Sequence, residues 1–133
     1  MLRHRALNPL TTSVRTLKPI PSDNCDPIPE STIKAQILTW LKFNKIFAWS
    51  QYNGAIYDPK HGAFRSMSQH SKRGVSDILG IYSNRLLAIE VKSKTGRLTR
   101  WQTIFLDDVK RNGGIAFVAR SVDDVILALA QYS

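Results

Sequence analysis

The chain holds 133 residues, enough for one domain whose core needs no disulfide or metal staple. Its hydrophobic share of 43% excludes a wholly disordered chain, and 19 Lys+Arg against 10 Asp+Glu give a net charge of +9. Such an excess points to a polyanionic partner, a solvated basic surface being the plainer alternative. No apolar run nears the roughly 18 residues of a membrane span, so no membrane partner is expected; the best runs are Ile115–Ala119 and Val125–Ala130. Cys25 is the sole cysteine, which excludes a disulfide framework and fits a reducing compartment. A cytoplasmic location is therefore expected, that of a host cell if the chain is viral. His4, His61 and His70 with one cysteine lack zinc-site spacing, and neither a GxxxxGK[ST] loop nor a GxSxG elbow occurs.

Residues 1–29 are read as a basic, disordered arm preceding a domain over 30–133. The arm holds Pro9, Pro19, Pro21, Pro27 and Pro29, and Arg3, Arg5, Arg15 and Lys18 precede the first acid, Asp23. A mitochondrial transit peptide is the alternative reading of that composition. Ile33, Ile37, Trp40 and Leu41 predict a helix over about 30–44. Ile46–Ser50 is strand-like, Asn53-Gly54 marks a turn, and Ala55-Ile56-Tyr57 is a candidate returning strand. Residues 58–74 carry Lys60, Arg65, Lys72 and Arg73 against Asp58 and are read as a mobile basic loop. Ser76–Tyr82 and Leu86–Lys92 flank Ser83-Asn84 as a hairpin. Thr99 and Gln102 form a capping box for a helix closed by Asn112-Gly113-Gly114. Ile115–Ala119 is a buried strand, and Ser121 caps a last helix over about 122–131 with Asp123 and Asp124 in its first turn. The order α-β-β-β-α-β-α defines an α/β fold, and the strand–helix–strand unit 86–119 is expected to be a right-handed parallel crossover.

Chemistry concentrates in Arg73-Gly74-Val75-Ser76-Asp77-Ile78-Leu79-Gly80 and in Ile89-Glu90-Val91-Lys92. With Ser83-Asn84 as the turn, Asp77 lies across from Glu90, their Cβ atoms about 5 Å apart. Lys92 projects from the same face. Two carboxylates this close repel unless one is protonated or a cation lies between them. Mg²⁺ accepts a few carboxylate oxygens and keeps other positions for water and phosphate; such an ion acidifies a bound water and polarises a phosphoryl group. A cross-strand ion-pair cluster is the structural alternative. Against it, Ile78-Leu79 and Leu87-Ala88-Ile89 are apolar on both faces, so a surplus carboxylate there is costly. Glu30, one of two glutamates in the chain, lies seven residues before Ile37 and hence on the apolar helix face, although an acid in a first turn also suits the helix dipole.

The ordered set Gly74-Val75-Ser76-Asp77, Glu90-Val91-Lys92 and Gln102 resembles the PD-(D/E)XK nuclease pattern, and most of all its virus-type replication-repair (VRR-NUC) branch. Glu30 matches the helical glutamate of that branch, Asp77 the acid of the PD element with Ser76 in place of proline, Glu90 and Lys92 the ExK element, and Gln102 the glutamine of the next helix. The resemblance covers about residues 30–120. It implies a restriction-endonuclease-like mixed sheet flanked by helices and hydrolysis of DNA phosphodiesters with Mg²⁺ or Mn²⁺. It further implies a Holliday junction resolvase acting on branched DNA as a homodimer, a symmetry that also suits paired cuts. By the same carry-over Asp77, Glu90 and the Val91 carbonyl hold the metal, and Glu30 binds it directly or through water. Lys92 positions the attacking water, and Gln102 orients Lys92 or the water if it is not simply the capping-box partner of Thr99.

Lys72, Arg73, Lys94, Arg97 and Arg100 are expected to bind DNA phosphates around this site without reading sequence. Trp40 and Trp49 are read as core, and Trp101 as core or dimer interface, with stacking on a base as its alternative role. The competing functions are a nuclease for linear duplex or flaps, and a non-catalytic basic nucleic-acid-binding module whose carboxylates are structural.

Overall fold

The computed structural model describes residues 27–52, 56–65 and 69–132. The readings for residues 1–26, for Asn53-Gly54 and for Ala55 lie outside the described residues.

Helix α1 spans Glu30–Phe43 behind Pro29, whose φ of −60° suits a helix entrance and whose carbonyl accepts from Thr32 and Ile33. Ile33, Ile37 and Leu41 form its buried stripe, with Trp40 partly buried beside them. The helix ends in a Schellman motif: Ile46 N–H donates to Leu41 O and Lys45 N–H to Lys42 O, with Lys45 at φ 59°. Strand β1 (Phe47–Ser50) follows, then β2 (Ile56–Asp58), β3 (Ala63–Arg65), β4 (Ile78–Tyr82), β5 (Arg85–Val91), α2 (Arg100–Arg111), β6 (Ile115–Ala119) and α3 (Val122–Ala130).

The main sheet runs β1-β4-β5-β6, with β1/β4 and β4/β5 antiparallel and β5/β6 parallel across the α2 crossover. This mixed sheet flanked by helices is the expected α/β, restriction-endonuclease-like architecture. The β4–β5 register follows from its turn. Ser83 (φ 53°) and Asn84 (φ 62°) both take left-handed conformations, as a two-residue type I′ loop requires, and Tyr82↔Arg85 through Ile78↔Ile89 pair on either side.

Two expectations need correction. Ile56 and Tyr57 do not return against 46–50: β1 pairs with β4, and Ile56–Asp58 pairs with Ala63–Arg65 in a separate two-stranded sheet. Residues 58–74 are therefore not simply a loop, because they contain β3.

Alternation along β5 divides the core. Leu87, Ile89 and Val91 join Ile33, Ile37 and Leu41 of α1, Ile78, Ile115, and Val125 and Leu129 of α3. Ala88 faces the other way, onto Leu106 and Val109 of α2, with Ala116 and the partly buried Leu79 and Phe105. Helix α2 covers β5 and β6 but not β1. Trp49 is consequently 40% exposed, contrary to its reading as core, and packs against exposed Phe47 with ring centroids 5.4 Å apart.

Candidate active site

Asp77, Glu90 and Lys92 lie on the α2 side of the sheet, where Leu79 and Ala88 continue the same face. All of 87–92 is buried, Glu90 at 2% and Lys92 at 8% exposure. Asp77 is fixed from both sides. Its carbonyl accepts from Gln51 N–H at 2.7 Å, extending the β1–β4 pairing, and its Oδ2 accepts from Val91 N–H at 2.9 Å. Lys92 is held by its N–H donating to Ala119 O at 3.1 Å.

The capping box at α2 is complete. Thr99 Oγ1 accepts from Gln102 N–H, and Gln102 Oε1 accepts from Thr99 N–H. The same side chain also donates from Nε2 to Glu90 Oε2 at 3.2 Å. The capping box and the contact with Glu90 thus coexist, because an amide offers both an acceptor and a donor.

Glu90 Oε1 is buried and has no hydrogen-bond partner. Burial first, then a hydrogen bond shared with Asp77 and repulsion from its charge, push the Glu90 carboxyl up to about 9; Lys92 opposes the shift and Glu30 adds to it. Two acids so placed favour a shared proton or a cation between them. Among the described residues no three Asp, Glu, His or Cys side chains converge into a metal cage. Two carboxylates suffice for Mg²⁺, which keeps several waters, and the orphaned Oε1 matches a donor set of that kind.

Glu30 reaches the site from the opposite layer. Its Oε2 accepts from Ser93 N–H at 3.3 Å, just past Lys92. Gly96 closes the same turn, where a Cβ would lie 3.0 Å from Glu30 Oε2 and 3.4 Å from Lys92 Cδ. Sequence reasoning missed the residue that holds this turn. Arg120 Nη1 donates to Ser93 O at 2.5 Å and to Gly96 O at 2.8 Å, with Lys94 O at 3.4 Å. The parallel register, Val91↔Ala119, places Arg120 beside the end of β5, so its position was implicit in the crossover. Arg120→Ala is expected to speed amide exchange at Ser93 and Gly96 while leaving amides in the middle of β5 protected; hydrogen-exchange mass spectrometry checks this.

Lys72, Arg73, Lys94, Arg97 and Arg100 are all exposed. The structure brings two of them together: the guanidinium carbons of Arg73 and Arg100 lie 5.1 and 5.6 Å from the centre of the Trp101 ring. Trp101 is 43% exposed and is not a core residue.

Fold and site together define a class, an α/β nuclease core carrying two acids, a lysine and a glutamine at one end of its sheet. A family model described as the VRR-NUC domain matches residues 28–123, and the chain belongs to that family, a branch of the PD-(D/E)XK nuclease superfamily. No curated protein is similar enough to count as a relative. Membership implies a nuclease whose substrate class is DNA, in a family that usually needs a divalent metal.

Proposed function

We propose that this protein is a divalent-metal-dependent endodeoxyribonuclease that cuts branched DNA, as a Holliday junction resolvase does, and works as a homodimer. The observation that carries the reading is the buried Glu90 beside the half-buried Asp77, with the buried Lys92 on the same face and Gln102 hydrogen-bonded to Glu90. A fold gains nothing from an acid buried with an unpartnered oxygen, so a charge requirement at this spot explains it better than packing does.

Asp77 and Glu90 would hold Mg²⁺ or Mn²⁺, with the Val91 carbonyl and, through water, Glu30 as further oxygens. When bound, the ion supplies Lewis acidity to a phosphoryl oxygen and acidifies a water. In the overall reaction water adds to phosphorus, one P–O ester bond breaks, and the leaving oxygen takes up a proton. Lys92 donates to the water or to the non-bridging oxygens, where negative charge grows in the transition state. Gln102 fixes the Glu90 carboxylate from the α2 side. Arg120 and Glu30 hold the turn that follows Lys92. Lys72, Lys94 and Arg97 bind phosphates around the site.

The test is end-labelled four-way junction beside matching linear duplex, with Mg²⁺, Mn²⁺ or chelator, and with Asp77→Ala. Paired metal-dependent cuts in the junction, absent in the variant, are expected. Lys92→Ala is expected to slow cleavage roughly 10²- to 10³-fold, the effect of removing one preorganised donor. Equal cutting of both substrates would leave a nuclease for linear DNA. Tight binding unchanged by Asp77→Ala, with no cleavage, would leave the binding module. Sedimentation of the full chain reads the dimer directly.

A further inference from the structure

Trp101 is an exposed aromatic residue at the start of the helix that carries Gln102. It stands in the first turn of α2, immediately before the glutamine that touches Glu90. Its main chain is pinned, because Gly74 packs so closely that a Cβ there would lie 2.2 Å from Trp101 O. Its ring nevertheless stays 43% exposed while Leu106 and Val109 of the same helix are buried. Two guanidinium groups lie within cation–π range of that ring, from Arg73 ahead of the Asp77 segment and from Arg100 beside it. A large apolar ring is thus presented at the surface from a pinned main chain, at the start of the helix whose Gln102 touches Glu90, with two guanidinium groups against it.

An indole face stacks on any nucleobase, and guanidinium groups bind the adjoining phosphates. Within continuous duplex each base face is already covered by its neighbours. A base displaced at a branch point, flap or bulge is not.

We infer that Trp101, flanked by Arg73 and Arg100, is a stacking platform for an unpaired nucleobase beside the scissile phosphate, and that it sets the preference for DNA with unpaired or unstacked nucleotides over continuous duplex. This deepens the nuclease reading above and rests on it for the meaning of the site. Arg73 and Arg100 rest on the ring in the free protein and turn to the phosphates when a base takes the face.

The test is a binding ratio, measured in chelator so that no cleavage occurs. The full chain is titrated into two fluorescein-labelled DNAs of one sequence, a perfect duplex and a duplex with a single-nucleotide bulge. A second bulged DNA carries 2-aminopurine as the unpaired base, whose fluorescence is quenched on stacking. Wild type is expected to favour the bulged DNA about tenfold, the scale of one base–aromatic stack, and to quench 2-aminopurine. Trp101→Ala should bring the ratio close to one and abolish the quench, while Trp101→Phe should restore part of both. Thermal melting of each variant confirms that the fold survives. A wild-type ratio near one, or a ratio that Trp101→Ala leaves unchanged, overturns the inference. Because these readouts need no catalysis, loss of the nuclease reading is seen separately, as absence of cutting by wild type with Mg²⁺. Where cutting occurs, Trp101→Ala should raise KM for branched DNA with little change in kcat.

Discussion

Glu90→Gln is expected to make the protein more stable and nearly inactive at the same time. In the folded chain the Glu90 carboxyl titrates near 9, against 4.5 for the unperturbed group. Between those values the folded state keeps a proton that the unfolded chain has released. Raising the pH through this window therefore drains stability from the metal-free protein, and the loss is complete once the pH passes about 9. Glutamine has the same shape, cannot ionise and has no proton to lose. In chelator, the melting temperature of the wild type should fall relative to that of Glu90→Gln across the window, with the variant the more stable at its upper end. Cleavage should drop by up to about 100-fold, since one of the two anionic groups proposed to hold the metal is lost. Added Mg²⁺ should raise the wild-type melting temperature most at high pH, where less proton must be displaced, and should barely move the variant. Parallel melting curves for the two proteins across the window would show that Glu90 carries no such proton.

Gly74→Ala is expected to be the most damaging small substitution in the domain. Gly74 has φ 71°, which alone costs an alanine roughly 1–2 kcal/mol. A Cβ there would also lie 2.2 Å from Trp101 O, 2.3 Å from Trp101 C and 2.6 Å from Gln102 N. These are main-chain atoms in the first turn of a capped helix, so no flexible side chain can swing aside. Relief requires moving the start of α2, which carries away the Gln102–Glu90 hydrogen bond. Overpacking of this kind adds about 1–3 kcal/mol. Gly113→Ala supplies the comparison, for Gly113 also has a positive φ, 87°, but a Cβ there meets nothing within 4 Å. Denaturant unfolding should show Gly74→Ala well below Gly113→Ala, and cleavage should fall only in the former. Equal destabilisation of the two would mean that the contact with α2 is relieved at no cost.

The features legible in the sequence were those set by neighbours along the chain. The Ser83-Asn84 turn, the Thr99–Gln102 box, the glycines after α2 and the Ser121 cap are all local, and each appears where its chemistry places it. The register of the hairpin carried the facing of Asp77 and Glu90 with it. What stayed hidden was decided between distant segments. Residues 46–50 had a nearby candidate partner at 55–57, yet β1 instead extends the sheet on β4, more than twenty positions along the chain. Trp49 reads as core and Trp101 as core or dimer interface, but α2 packs beside Leu79 and Ala88 without covering Trp49, and Trp101 stands in the first turn of α2 with its side chain still 43% exposed. Arg120 looks like one more surface charge until the parallel register sets it against the carbonyls of Ser93 and Gly96.

The two-residue loop between β4 and β5 also measures length. Because side chains alternate along a strand, one extra residue between Asp77 and Glu90 that slipped the pairing by one would send a single member of the pair through to the α1 side, into the packing of Ile33, Ile37 and Leu41. A slip of two would restore the facing but slide one acid past the other by about two residues, roughly 6–7 Å along the strand. The distance between the acids is therefore written in the loop as much as in the acids themselves. Single insertions or deletions at Ser83-Asn84, an exposed loop tip of the kind where proteins ordinarily absorb them, fall here on a calibrated spacer.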